Sequence, residues 1–218
     1  MTDDHGLRSA DDGQTRVTAM PWIAHPPDEA EVVRLSLDES ERFGVIFNTH
    51  FEEIHRYVVQ RLGPDLAEDV VAETFLTAFR KRSQYDPSRA AVRAWLYGIA
   101  TNLIGKHRRR EVRTLRALGR YGVDPDVPGP EDRVAARVSA ESLRPSLAAA
   151  LAGLPRRDRD VLLLMALAGL SHEEIAGALG IPYGTVGSRL NRARRKLRAV
   201  LGGANPMLEP EGAAHGRA

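Results

Sequence analysis

The stretch from Gly169 to Leu201, GLSHEEIAGALGIPYGTVGSRLNRARRKLRAVL, leaves this chain few folds to choose from. Ser171 followed by Glu174 is an S-x-x-E capping box, in which two orphan amides at a helix start are satisfied reciprocally. Ile175, Ala176 and Leu179 give the apolar spacing of a short first helix. Gly180 permits a tight turn, and Pro182 suits the first turn of a second helix, where a missing N–H costs nothing. At about 100° per residue, Val186, Leu190, Ala193 and Leu197 stack on one side of that second helix and must face a core. Gly184, Ser188, Asn191 and Arg195 fall opposite, with Arg192 flanking them. Six Arg or Lys and no acid lie between Arg189 and Arg198. Cations without acidic partners repel one another, so this face suits phosphate contact. The segment reads as a helix-turn-helix of the DNA-binding kind.

The rest of the chain adds a second basic patch. The net charge of +2 over 218 residues conceals a segregation. Residues 1–42 carry ten Asp or Glu against four Arg, whereas residues 106–120 carry seven Lys or Arg against Glu111 alone. Two separate basic patches predict two contacts with nucleic acid. No apolar run approaches the ~20 residues of a membrane span. The opening MTDDHGLRSADDGQ is acidic and polar, so neither a secretory leader nor membrane insertion is expected. The chain has no cysteine, which excludes disulfides and thiolate metal sites and fits a cytoplasmic protein.

The pattern predicts an all-α chain of two small helical domains joined by a flexible linker. Residues 1–40, with Pro21, Pro26 and Pro27, read as a disordered extension. Residues 41–117 form the first domain, 118–138 a Pro/Gly/Asp-rich linker, 139–202 the helix-turn-helix domain and 203–218 a disordered tail. In the first domain, Phe43 to Leu62 carries Ile46, Phe47, Phe51, Ile54 and Val58 at helical spacing and stops at Gly63-Pro64. A second helix, from about Asp65 to Arg82, turns Ala67, Val71, Thr74 and Ala78 inward. Its opposite side presents Asp65, Asp69, Ala72, Glu73, Leu76 and Arg80. A third runs from about Val92 to Arg110, with Leu96, Ile99, Ala100 and Leu103 inward. The polar stretch SQYDPSRAA before it reads as a loop with room for a ligand.

Both blocks resemble the bacterial sigma-70 family, in particular its compact extracytoplasmic-function (ECF) group. AEDVVAETFLTAF (67–79) and RAWLYGIATNLIGKHRRR (93–110) resemble region 2. LPRRDRDVLLL (154–164), GLSHEEIAGALG (169–180) and GTVGSRLNRARRKL (184–197) resemble region 4. The resemblance implies a specificity subunit that binds core RNA polymerase, directs it to promoters and helps open the duplex. It implies docking on the clamp helices of the largest polymerase subunit through Asp65, Asp69, Glu73, Leu76 and Arg80, and a further contact with the flap. It implies capture of the −10 element by the loop Ser83 to Arg93, including Gln84, with Asn102 at its upstream edge and Lys106, Arg108, Arg109 and Arg110 on the backbone. Thr185, Gly187, Ser188, Arg189, Asn191, Arg192 and Arg195 would read the −35 element in the major groove. Trp95 is assigned to packing. Promoter DNA and an anti-sigma factor are the other implied partners, with a monomer when free and no cofactor. Ala72 stands where the family commonly has Gln, and Gly187 where it has Lys or Arg, so one contact is expected to be missing at each. The MALA run from Met165 to Ala168 replaces charged residues and predicts weaker backbone contacts or an apolar patch.

Enzyme motifs do not hold up. His172-Glu173 opens an H-E-x-x-H, but Ala176 takes the place of the second histidine, and no phosphate loop or nucleophile elbow is present. A stand-alone helix-turn-helix regulator binding DNA as a dimer is the alternative. It leaves the acidic helix and the WLYGIATN block without a purpose, and a dimer needs a self-complementary apolar surface.

Overall fold

The computed structural model describes residues 28–121 and 145–201, and among them every regular element is helical. Asp28 caps α1 (Glu29–Leu35), its carboxylate accepting from the Ala30 amide at 3.1 Å. A single 3-10 turn leads into α2 (Phe43–Leu62), which stops where Gly63 takes φ +83° ahead of Pro64. There follow α3 (Ala67–Lys81), α4 (Val92–Lys106) and α5 (Arg108–Tyr121). After residue 144 come α6 (145–153), α7 (Arg156–Ala168), α8 (His172–Leu179) and α9 (Tyr183–Val200).

Helices α2, α3 and α4 pack on one another as a bundle, with α1 and α5 laid against α2. Ile46, Ile54, Val58, Val71, Ala78, Leu96 and Ala100 are fully or almost fully buried, as their helical spacing requires. Phe47 and Phe51 depart from the expectation of core residues. They stay 39% and 38% exposed, and their rings lean on the buried Phe75 at 4.9 and 6.5 Å between centroids. In the second half α7, α8 and α9 pack around Val161, Leu164, Ile175, Val186 and Leu190.

Two further expectations need correction. Residues 29–35 are not an irregular extension: α1 buries Val32 and Val33, which anchor it to the bundle. The helix expected from Val92 to Arg110 breaks at His107, and the chain restarts as α5, which runs through Tyr121 and so into the expected linker of 118–138. The two halves are in contact, with one apolar cluster running through both and α8 packed on α4. The disorder expected of 1–27 and 203–218, and the flexibility expected of 122–138, lie outside the described residues.

His50 holds α1 down. Its ring is buried, with Nδ1 2.6 Å from Glu53 Oε1 and Nε2 2.9 Å from Glu29 Oε1. A neutral imidazole donates from one nitrogen only, so two carboxylates call for the charged ring. Burial works against that charge, but the hydrogen bond to Glu53 and the charge of Glu29 outweigh it, and the pKa of His50 is raised. The fold therefore favours protonated His50. This contribution is complete below the unfolded value of about 6.5 and is lost as pH rises through the raised folded value. Amide exchange at Val32 and Val33 should accelerate between pH 6 and pH 9 beyond the intrinsic base catalysis. Protection that tracks intrinsic rates alone would remove His50 from this role.

Candidate nucleic-acid interface

The helix-turn-helix is built as its sequence requires. The Glu174 amide donates to Ser171 Oγ at 3.2 Å, and the Ser171 amide donates to Glu174 Oε2 at 2.8 Å. Gly180 adopts φ +61°, a left-handed turn that a side chain would strain. Val186, Leu190 and Ala193 are buried, which turns Ser188, Asn191, Arg192 and Arg195 to the exposed side of α9. Thr185, Gly187 and Arg189 are half-buried beside them. Ser188 Oγ donates back to the Thr185 carbonyl at 3.0 Å.

Arg192 is not free. Its Nε and Nη2 reach Asp158 at 3.1 and 2.8 Å, a bidentate pair with a buried carboxylate on α7. The hydrogen bonds to Asp158 raise the guanidinium pKa further, so it stays charged. Arg156 and Arg157 line one groove with Thr185, Ser188, Arg189 and Arg192. Helical periodicity alone could not show that; the signal is the basic LPRRDR run that opens α7.

The acidic face of α3 is present as expected. Asp69, Glu73, Leu76 and Arg80 recur at three- and four-residue spacing and are all exposed, with Leu76 46% accessible among the charges. Asp65 precedes them in a 3-10 turn, paired with Arg110. Lys106 Nζ donates to Glu73 at 3.0 Å. The exposed rims of Phe47 and Phe51 add an aromatic surface on α2, which the periodicity of that helix had assigned to the core.

The loop before α4 is less open than its composition suggested. Tyr85 packs on Trp95 with centroids 4.9 Å apart and donates to the Ala90 carbonyl at 3.0 Å, which supports the packing role of Trp95. Asp86 takes hydrogen bonds from the Ser88 amide and hydroxyl at 2.9 and 2.6 Å. Ser83 and Gln84 are exposed, as are Asn102, Arg108 and Arg109. Two expected contact residues are engaged elsewhere. Arg93 donates to Glu53 Oε2 at 2.9 Å and to the Ala168 carbonyl at 2.6 Å. Arg110 donates to the Leu62 carbonyl at 3.3 Å and pairs with Asp65, which clamps α5 to the end of α2. In the MALA run, Leu167 is 39% exposed while Ala168 is buried. Among the described residues no group of His, Asp or Glu is arranged to hold a metal ion, and no helix is long and apolar enough to cross a membrane.

Known proteins share this arrangement. Residues 46–114 match the family model for sigma-70 region 2, and residues 144–197 that for sigma-70 region 4. RNA polymerase sigma factor CnrH of Cupriavidus metallidurans is 38% identical over 143 residues, which are 62% of this chain and 72% of that protein. This chain belongs to the sigma-70 family, in its ECF group. The sigma factor NccH of Alcaligenes xylosoxydans xylosoxydans is 32% identical over 80% of this chain and 94% of its own length. The ECF sigma factor SigL of Mycobacterium tuberculosis is 34% identical over 79% and 96%. A solved structure of CnrH in complex with the cytosolic domain of CnrY covers 82% of this chain and 99% of that one, with a TM-score of 0.54 and 26% identity. The protein is therefore an ECF sigma factor, a subunit that binds core RNA polymerase and directs it to promoters. The family is not one of enzymes.

Proposed function

We propose that this sigma factor docks on the polymerase clamp through Asp65, Asp69, Glu73, Leu76 and Arg80, and reads promoter DNA with two separate surfaces. The observation that carries this division is the coexistence, in one chain, of an acidic face with an exposed leucine at its centre and a basic helix-turn-helix. An apolar residue ringed by charges has the anatomy of an interface centre. On this reading Ser83, Gln84, Asn102, Lys106, Arg108 and Arg109 serve the −10 element. Thr185, Gly187, Ser188, Arg189, Asn191, Arg192 and Arg195 serve the −35 element, with the exposed Arg157 added as a phosphate contact. Arg93 and Arg110 drop to positioning roles, because their guanidinium groups are committed to Glu53, Ala168 and Asp65. The protein works in the cytoplasm, without catalysis of its own and without a cofactor. Linking two weak DNA contacts through the polymerase makes promoter binding effectively intramolecular, so neither half need bind tightly alone.

CnrH has been solved in complex with a protein partner, the cytosolic domain of CnrY, which supports a protein partner here as well, and we assign that role to an anti-sigma factor. The primary test is transcription in vitro with purified core polymerase on a fragmented genomic library. Start sites that depend on this protein and share two boxes at fixed spacing are expected. Duplex binding without polymerase and no new start would favour the stand-alone regulator. Within the −35 surface, Arg192→Ala should cost about 1–3 kcal/mol at its own base pair, read by competition between promoter variants. An equal loss on every sequence would make Arg192 a phosphate contact.

A further inference from the structure

The cations of α9 are not equivalent. Among the described residues, Arg192 alone of them pairs with a carboxylate. Asp158, buried in the first turn of α7, accepts from Arg192 Nε through Oδ2 at 3.1 Å and from Nη2 through Oδ1 at 2.8 Å. Arg194 instead reaches Met165 Sδ at 3.5 Å, and Lys196 donates to the Gly153 carbonyl at 2.6 Å. The Arg192 side chain stays 49% exposed, in the groove that it shares with Thr185, Ser188 and Arg189. Those residues lie three, four and seven positions before it, on one side of the helix.

We infer that Asp158 is a positioning residue that makes Arg192 a reader of guanine, so that the −35 element used by this protein carries a guanine opposite Arg192. This rests on the −35 assignment above. A guanidinium holds five N–H donors in a planar fork. Nε–H and one Nη2–H form its side edge; the second Nη2–H and an Nη1–H form its end edge. Asp158 occupies the side edge from below. The end edge, with two parallel donors, is what remains for the groove. In the major groove guanine offers two adjacent acceptors, O6 and N7. Adenine sets a donor beside its N7, thymine offers the single O4, and cytosine presents a donor.

The carboxylate also removes the competing contact. A free arginine on this face is drawn to the phosphates, which carry one negative charge per ~1.7 Å of duplex. Beside Asp158 the pair is neutral overall, so that pull is largely cancelled while the hydrogen-bond donors stay. The long side chain is held in one geometry before DNA arrives, which lowers the ordering cost of a base contact. The pair is not needed to hold α9 on α7. Val161, Leu164, Val186 and Leu190 are buried in the core shared by these helices, and a half-exposed ion pair adds little to that.

Selection from randomised duplexes tests the assignment. A window of about ten base pairs, one turn of DNA, is randomised upstream of a start site found with the genomic library. The full chain with core polymerase selects from it, and one position is expected to require guanine. Asp158→Ala should weaken that preference roughly tenfold to a hundredfold, the range of one bidentate base contact, and leave the other positions unchanged. It should also strengthen binding to unrelated duplex, with a salt slope steeper by about one as Arg192 turns to a phosphate. Asp158→Asn, whose oxygen still accepts one hydrogen bond, should fall between. Replacing the selected guanine by 7-deazaguanine, which lacks the N7 acceptor, should weaken the unmodified chain and barely affect Asp158→Ala. In an Arg192→Ala background, Asp158→Ala should change nothing further at that position. A uniform loss on every sequence, or a guanine preference that survives Asp158→Ala, would overturn the assignment. If the library yields no start site, a randomised window of the same length is offered to the chain alone. A guanine preference that depends on Asp158 then keeps the positioning role while the polymerase reading falls, and its absence overturns both.

Discussion

Asp69→Arg combined with Glu73→Arg should abolish association with core RNA polymerase and leave the helical fold intact. The fold should survive because α3 is anchored through Ala67, Val70, Val71, Thr74 and Ala78, all buried, while both acids lie on the opposite side. Within the described residues the double change breaks the Glu73–Lys106 pair, whose side chains are 46% and 63% exposed. A pair of that kind contributes at most about 1 kcal/mol. The docking surface fares differently, because the double change replaces two negative charges by two positive ones around Leu76. Like charges set against one another across an interface cost several kcal/mol, so the fall in affinity should exceed about a hundredfold. Native gel shift or fluorescence anisotropy against purified core enzyme measures it, with circular dichroism as the check on the fold. Unchanged association would place the docking surface elsewhere, and the aromatic rims of Phe47 and Phe51 would be the next surface to mutate.

Why α3 and the helix-turn-helix were legible in the sequence, and the contact between the two halves was not, is a matter of range. The Ser171–Glu174 capping box, the Gly180 turn and the Val186–Leu190–Ala193 stripe are encoded within four residues or two turns, the distance over which periodicity and capping speak. The break at His107 carries no such mark. The run KHRRREV holds neither Pro nor Gly, and α5 exists because Leu115 and Glu111 find burial against other elements. α1 is seven residues long, too short for a period to emerge, and it stands on Val32, Val33 and the contact of Glu29 with His50. The arginines mislead most. Charged residues are rarely buried unless paired, and the partners of Arg61, Arg159 and Arg192 lie 34 to 99 residues away. Spacing thus identified the basic residues but could not separate those that face DNA from those consumed within the fold. Nothing in the local spacing marks the pairing of Arg93 with Glu53 or of Arg110 with Asp65.

Glu111→Ala should be the most destabilising single change away from the apolar core, and the reason lies in the two buried arginines, Arg61 and Arg159, that share its carboxylate. Glu111 is 1% exposed and accepts from two buried arginines, Arg61 through Oε1 and Arg159 through Oε2. Its removal takes from both cations the carboxylate they share. Arg61 keeps Tyr57, whose hydroxyl also bonds Thr101 at 2.8 Å, and keeps Asp160. Among the described residues Arg159 keeps three carbonyls at 3.4 Å, the long end of a hydrogen bond, and its Nε has no partner. Breaking a buried pair from one side costs about 3–5 kcal/mol, a large part of the stability of a domain this size. Asp160→Asn should cost less, because the amide still accepts from Arg61 and Arg61 keeps Glu111. Chemical denaturation followed by circular dichroism gives both values. The ordering is the informative part: Glu111 is shared by Arg61 and Arg159 and so ties α5 to both α2 and α7, whereas Asp160 pairs with Arg61 and with Arg156 on its own helix. Equal losses in the two variants would mean that the shared carboxylate is no more critical than Asp160. A severe loss in Glu111→Ala alone places the cost in the two buried arginines left without it.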